Sequence, residues 1–140
     1  MIDYVFDSFA LTAYVQNEPG GMRVRELLSE AESGVSRLVM TTINLGETLY
    51  VSYRRRGPEG LVGVLNLTAD LPIELVDTDL QLVVSAARIK AVTPIAYGDC
   101  FAAALALHRG ATVVTGDREF ERVQHLVTIE WLPGSPSGKG

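Results

Sequence analysis

A chain of 140 residues makes one domain, large enough for a real hydrophobic core and too small for two. Hydrophobic residues at 47% and charged residues at 21% exclude general disorder, and a single cysteine excludes an intrachain disulfide framework and a cysteine-rich zinc site. Two histidines supply a zinc centre poorly, so a bound metal must take mainly oxygen ligands, which favours Mg²⁺ or Mn²⁺.

Ile2 to Phe6 reads as a short strand, and Asp7-Ser8 is a natural helix start before Phe9-Ala10-Leu11. Pro19-Gly20-Gly21 breaks that helix. From Met22 to Ala31 the spacing of Val24, Leu27, Leu28 and Ala31 predicts a second helix, with Gly34 as its stop. Arg37 to Thr41 is a second strand. Thr42 opens a helix to Arg56, with Ile43, Gly46, Leu49, Tyr50 and Tyr53 along one face. Arg54 to Arg56 complement the dipole of its last turn, and Gly57-Pro58 ends it. A helix over Glu59 to Ala69, a strand over Pro72 to Val76 and a helix over Leu80 to Lys90 follow. Beyond Pro94, an alanine-rich helix runs from Asp99 to Arg109, and Gly110 closes it. Thr112 to Thr115 is a β-branched strand. Gly116-Asp117 turns the chain into a short helix from Glu119 to Val123, and Val127 to Leu132 is the last strand. The domain thus spans residues 1–132, and the Pro/Gly/Ser-rich tail, 133–140, is expected to be disordered.

Strands alternating with helices predict an α/β fold with a mostly parallel central sheet covered on both faces. Ligands of such sheets bind outside the carboxyl ends of the strands. Asp7 follows the first strand directly, and Asp117 follows Thr115 after one glycine, so both emerge at that edge. Glu47 and Asp99 lie near the starts of two helices that would point there as well. Each acid has an ordinary alternative: Asp7, Asp99 and Asp117 are all residues that cap helices or turns. Glu47 is harder to dismiss, because Ile43, Gly46 and Tyr50 suggest a buried face, and a buried glutamate needs a partner. Four carboxylates gathered together raise one another's pKa unless a cation sits among them. One or two hard divalent ions would resolve that repulsion and acidify a water for attack on a phosphodiester. No Ser-His-Asp or Cys-His arrangement competes, and Cys100 reads as a small buried residue.

The net charge of −5 counts against a nucleic-acid partner. Bound metal and the clustered Arg54-Arg55-Arg56 and Arg23/Arg25 soften the objection. With neither a basic stretch leading into an apolar one at the start nor a membrane-spanning run, the expectation is a soluble cytoplasmic protein without a membrane partner.

Four segments carry a resemblance. They are Val5-Phe6-Asp7-Ser8-Phe9-Ala10-Leu11, Thr42-Ile43-Asn44-Leu45-Gly46-Glu47, Tyr97-Gly98-Asp99-Cys100-Phe101-Ala102-Ala103-Ala104-Leu105-Ala106, and Val113-Val114-Thr115-Gly116-Asp117-Arg118-Glu119-Phe120. In this order and spacing the chain resembles PIN-domain ribonucleases, especially the VapC-type toxins of bacterial and archaeal toxin–antitoxin pairs. The resemblance implies a Rossmann-like three-layer α/β/α fold and a metal-dependent endoribonuclease acting on RNA. It maps the acidic site to Asp7, Glu47, Asp99 and Asp117, with Ser8, Asn44 and Thr115 beside them. It also implies a homodimer and an antitoxin protein that blocks the site, served by exposed apolar surface on the Met22 to Ala31 and Thr42 to Arg56 helices. Tyr97-Gly98 departs from the commoner small or apolar residues and would alter the rim.

Rival readings weaken on single residues. A haloacid-dehalogenase-like phosphotransferase needs a second aspartate two residues after Asp7, where Phe9 stands. A receiver-type signalling domain needs a lysine that Thr115-Gly116 does not provide. A non-catalytic PIN-like binding module has no physical reason to keep four mutually repelling acids.

Overall fold

The structure is a computed structural model that describes residues 1–134. Of the tail expected to be disordered, residues 135–140 lie outside the described residues. Five strands form one sheet: β1 (Ile2–Phe6), β2 (Ser36–Thr41), β3 (Ile73–Val76), β4 (Thr112–Thr115) and β5 (Thr128–Trp131). Their order is β3-β2-β1-β4-β5, and every neighbouring pair is parallel. The central strands read as near-continuous apolar runs because both of their faces are covered. Alternation then sorts the side chains. Val5, Val39 and Val113 pack on one face beneath α4 (Leu80–Val92) and α5 (Tyr97–Arg109). Tyr4, Phe6, Leu38, Met40 and Val114 pack on the other, beneath α1 (Ser8–Val15), α2 (Gly21–Glu32) and part of α3 (Thr42–Asp70). The result is the three-layer α/β/α arrangement expected from the chain's alternation.

Two local features place the site. The chain runs outward through β1, β2 and β3, then returns across the sheet to start β4 on the far side of β1. The crevice between the carboxyl ends of β1 and β4 is therefore the topological switch point where open α/β sheets bind ligands. The second feature is α5, whose Ala102, Ala103, Ala104 and Ala106 are buried, letting that helix sit close to the sheet.

Helix α3 is broken where Gly57-Pro58 predicts an end. Gly57 takes φ 67° and ψ −156°, a left-handed backbone that favours glycine, and Pro58 begins the second piece. The face expected to be buried on its first half is not the buried one. Ile43, Tyr50 and Tyr53 are exposed, and Asn44, Leu45, Thr48 and Ser52 turn inward. The reason is that α3 meets α1 through short polar side chains, with the Thr12 and Thr48 hydroxyls 3.2 Å apart, so apolar periodicity misidentifies the inner face. Helix α5 begins at Tyr97 after an N-cap at Ala96, two residues before the expected start.

Candidate active site

Asp7 stands at the end of β1 and caps α1. Its Oδ1 accepts the Ala10 backbone N–H at 2.9 Å. Its Oδ2 accepts the hydroxyl of Thr115, the last residue of β4, so one carboxylate bridges the two strands of the switch point. The Thr115 Oγ1 in turn accepts the Asp117 N–H at 3.0 Å. Asp117 caps the short 3-10 helix Arg118–Val123, its carboxylate accepting the Glu119 N–H at 3.0 Å. The capping readings of Asp7 and Asp117 are thus both real, and they leave the carboxylates at the crevice.

Glu47 is held from the next strand along. Thr41 ends β2, caps α3 and donates its hydroxyl to Asn44 Oδ1 at 2.6 Å. Asn44 Nδ2 then donates to Glu47 Oε1 at 2.9 Å and to the Gly98 carbonyl at 3.1 Å. This fully buried amide is a clamp tying α3 to the first turn of α5. A Cβ on Gly98 would fall 2.7 Å from the Glu47 carboxyl carbon, so any side chain there would push that carboxylate away from its Asn44 partner. Glu47 itself is half-buried, and its partner is Asn44 rather than a buried apolar face.

Asp99 is 7% exposed in the first turn of α5. It is not a cap, since Ala96 occupies that position. Burial, then Asp117, Asp7, Glu47 and Glu119, push its carboxyl from the usual 3.8 to about 8. Burial also raises Asp7 to about 7, opposed by the Thr115 and Ala10 hydrogen bonds and reinforced by Asp117 and Glu47. Among the described residues, the main influences on either group include no cationic side chain. The four acids named from sequence therefore share one electrostatic environment, and Glu119 joins it as a fifth that sequence reasoning did not single out.

Ser8 contributes less than expected. The contact it makes is through its carbonyl, which accepts the Thr48 hydroxyl at 3.3 Å. Cys100 is fully buried, and burial pushes its thiol up, which suits an inert packing role. Tyr97 is exposed and lies edge-on to Phe101 at 4.9 Å between ring centroids. Thr41 and Gly98 are the residues that sequence reasoning missed; Thr41 was signalled by its position just before a helix, and Gly98 was seen only as an oddity of the rim.

The donor set is all oxygen, suited to a hard divalent cation. Among the described residues, no three His, Cys, Asp or Glu side chains form a ready-made metal cage. Such a spread of acids suits an ion that keeps part of its water shell, as Mg²⁺ does. What fits the site is thus the chemistry of its donors and the anionic potential they share.

The sequence profile of the PIN domain matches residues 4–126. No curated protein matches the chain. Among solved structures, the chain is similar to VapBC2 from Rickettsia felis, bound to a DNA fragment from its promoter, at TM-score 0.73 and 17% identity over 94% of this chain and 99% of that one. It is similar to DNA-bound VapBC from Salmonella typhimurium at TM-score 0.73 and 28% identity, over 93% and 98%. VapC20 of Mycobacterium tuberculosis, a sarcin-ricin loop cleaving toxin, matches at TM-score 0.70 and 15% identity, over 84% and 92%.

Proposed function

The chain belongs to the PIN domain family, and from that premise we propose that it is a metal-dependent endoribonuclease, the VapC-type toxin of a type II toxin–antitoxin pair. One observation carries the reading: Asp7, Glu47, Asp99 and Asp117 share an anionic crevice at the switch point of the sheet. A binding module without chemistry gains nothing from acids that raise one another's pKa.

In this reading Asp7 and Asp99 hold the ion, with Glu47 and Asp117 completing its surroundings directly or through water. One or two ions of Mg²⁺ or Mn²⁺, when bound, supply acidification of the attacking water and neutralisation of charge at the phosphate. The chain's own part is placement. Thr115 and the Ala10 N–H fix both oxygens of Asp7, and Asn44 fixes Glu47. Asp99 keeps a carboxyl at the crevice in the first turn of α5.

The substrate is RNA, and the functional unit is residues 1–132. Its partners are a cognate antitoxin, as in the VapBC complexes, and a second copy in a homodimer. Exposed apolar side chains on the helices named for that role, such as Met22 and Ile43, give such partners surface to cover. No single helix among the described residues is long and apolar enough to cross a membrane, and the proposed place of action is the cytoplasm.

Purified protein incubated with cellular RNA and Mg²⁺ or Mn²⁺ should cut it, and Asp7→Ala should lose the activity while keeping the fold by circular dichroism. Undiminished cutting in excess EDTA, or by Asp7→Ala, refutes the mechanism. Expression without an antitoxin should slow growth, with relief in Asp7→Ala; harmless wild-type expression removes the toxin role and leaves the nuclease.

A further inference from the structure

Four arginines elsewhere on the fold are committed to ion pairs, whereas the isolated, exposed Arg25, Arg37 and Arg88 form none among the described residues. Arg23 meets Glu26, Glu30 and Glu130; Arg109 meets Glu74; Arg118 meets Glu121; and Arg122 meets Glu119. The Arg23/Arg25 cluster is thereby half consumed. By contrast Arg54, Arg55 and Arg56 are all exposed, and among the described residues none forms a salt bridge. The end of a helix dipole carries about half a charge. It does not account for three adjacent cations.

Their position does. Glu47, Tyr50 and Arg54 are spaced i, i+3, i+7 and so form one stripe along α3. At about 1.5 Å of rise per residue, Arg54 lies about 10 Å along the axis from the acid cluster. Tyr50 and Tyr53 are 49% and 51% exposed, and the Arg54 guanidinium sits 4.9 Å from the Tyr50 ring centroid. Arg55 and Arg56 turn to the other side, into a groove of about 670 Å³ between the end of α1 and the break in α3, with Gln16, Ser52 and Glu59 in its wall.

An anionic crevice repels the phosphates on either side of the one being cut. Free cations within reach of it are what a nucleic-acid strand requires, and exposed rings between those cations are what unpaired bases stack on. We infer that this end of α3 grips the single-stranded RNA flanking the scissile phosphate, with Arg54 on a backbone phosphate along the stripe, Tyr50 and Tyr53 under bases, and Arg55 and Arg56 on phosphates where the strand passes round into the groove. This rests on the ribonuclease reading and names the part of the surface that grips its substrate.

The test is fluorescence anisotropy of a labelled single-stranded RNA of mixed sequence, in EDTA so that no cutting occurs, with parallel cleavage assays in Mg²⁺. Replacing Arg54, Arg55 and Arg56 together by Ala should weaken binding at least tenfold. It should also flatten the plot of log K against log salt by about 2, at about 0.7 per phosphate contact on a single strand. Tyr50→Ala should weaken binding several-fold and Tyr50→Phe should restore it, since stacking needs the ring and not the hydroxyl. In cleavage, the losses should appear chiefly in KM. Wild-type binding and salt slope in folded variants overturn the inference, as does an effect confined to sedimentation of the dimer or to antitoxin capture. A wild type that cleaves no RNA at all defeats the ribonuclease reading instead, and the anisotropy comparison still decides the stripe.

Discussion

Replacing Asp99 by Asn should stabilise the ion-free protein, in a way that depends on pH. The carboxyl is buried beside other acids, and its pKa is pushed from 3.8 to about 8. Below pH 3.8 it is protonated in the folded and unfolded chains alike, and wild type and variant should not differ through this group. Between pH 3.8 and about 8 the unfolded chain releases the proton while the folded one retains it. Wild type therefore loses stability as pH rises, at about 1.4 kcal/mol per pH unit, and the loss is complete above the folded pKa. The full span corresponds to about 6 kcal/mol, and a compact unfolded state with residual charge reduces it to about half, a gain for the variant of roughly 10 °C in Tm at pH 8.5. The assay is thermal unfolding of both proteins in EDTA from pH 4 to 8.5, repeated with Mg²⁺ or Mn²⁺. The cation should stabilise wild type more than Asp99→Asn and close the gap. A pH-independent difference, or a variant less stable at pH 8.5, would refute the electrostatic account of the cluster.

Three further substitutions probe the surroundings. Gly98→Ala displaces the Glu47 carboxylate, the flexible end of a half-buried side chain, so it should change denaturant unfolding by less than about 1 kcal/mol and sharply reduce cleavage. Thr115→Val removes the hydroxyl that lowers the Asp7 pKa; Asp7 should then titrate above about 7, and half-maximal cation loading, followed by calorimetry, should move to higher pH. Gly57→Ala forces a side chain onto a backbone at φ 67°, which should cost about 1 kcal/mol in stability and leave kcat unchanged.

Much of this architecture was legible because the signals are local. A β-branched run such as Thr112 to Thr115, an aspartate directly after an apolar strand, and Gly57-Pro58 each act on their neighbours, and the structure places strand, carboxylate and break as they predict. Where the deciding contact is remote, the reading failed or succeeded for the wrong reason. Glu47 was identified through a face of α3 that turns out to be exposed; what holds it is Asn44, itself fixed by Thr41 and by a carbonyl 54 residues away. Arg23, grouped with Arg25 as clustered basic charge, is instead claimed by Glu130, 107 residues on. Gly98 looked like a departure at the rim because the carboxylate it accommodates belongs to a different helix.

The hydrogen bond between Thr115 and Asp7 spans 108 positions of the chain. Its consequence lies in the order of synthesis. Asp7 is made well before Thr115, yet its Oδ2 has no anchor until β4 has emerged and aligned beside β1, with Phe6 opposite Val114. A slip of one residue in that alignment would turn the Thr115 side chain to the opposite face of the sheet. A nascent chain that has released β1, α3 and α5 still lacks the strand that sets the geometry of Asp7. The geometry of Asp7 is thus completed only when β4 pairs with β1, whatever the other elements of the site have already formed.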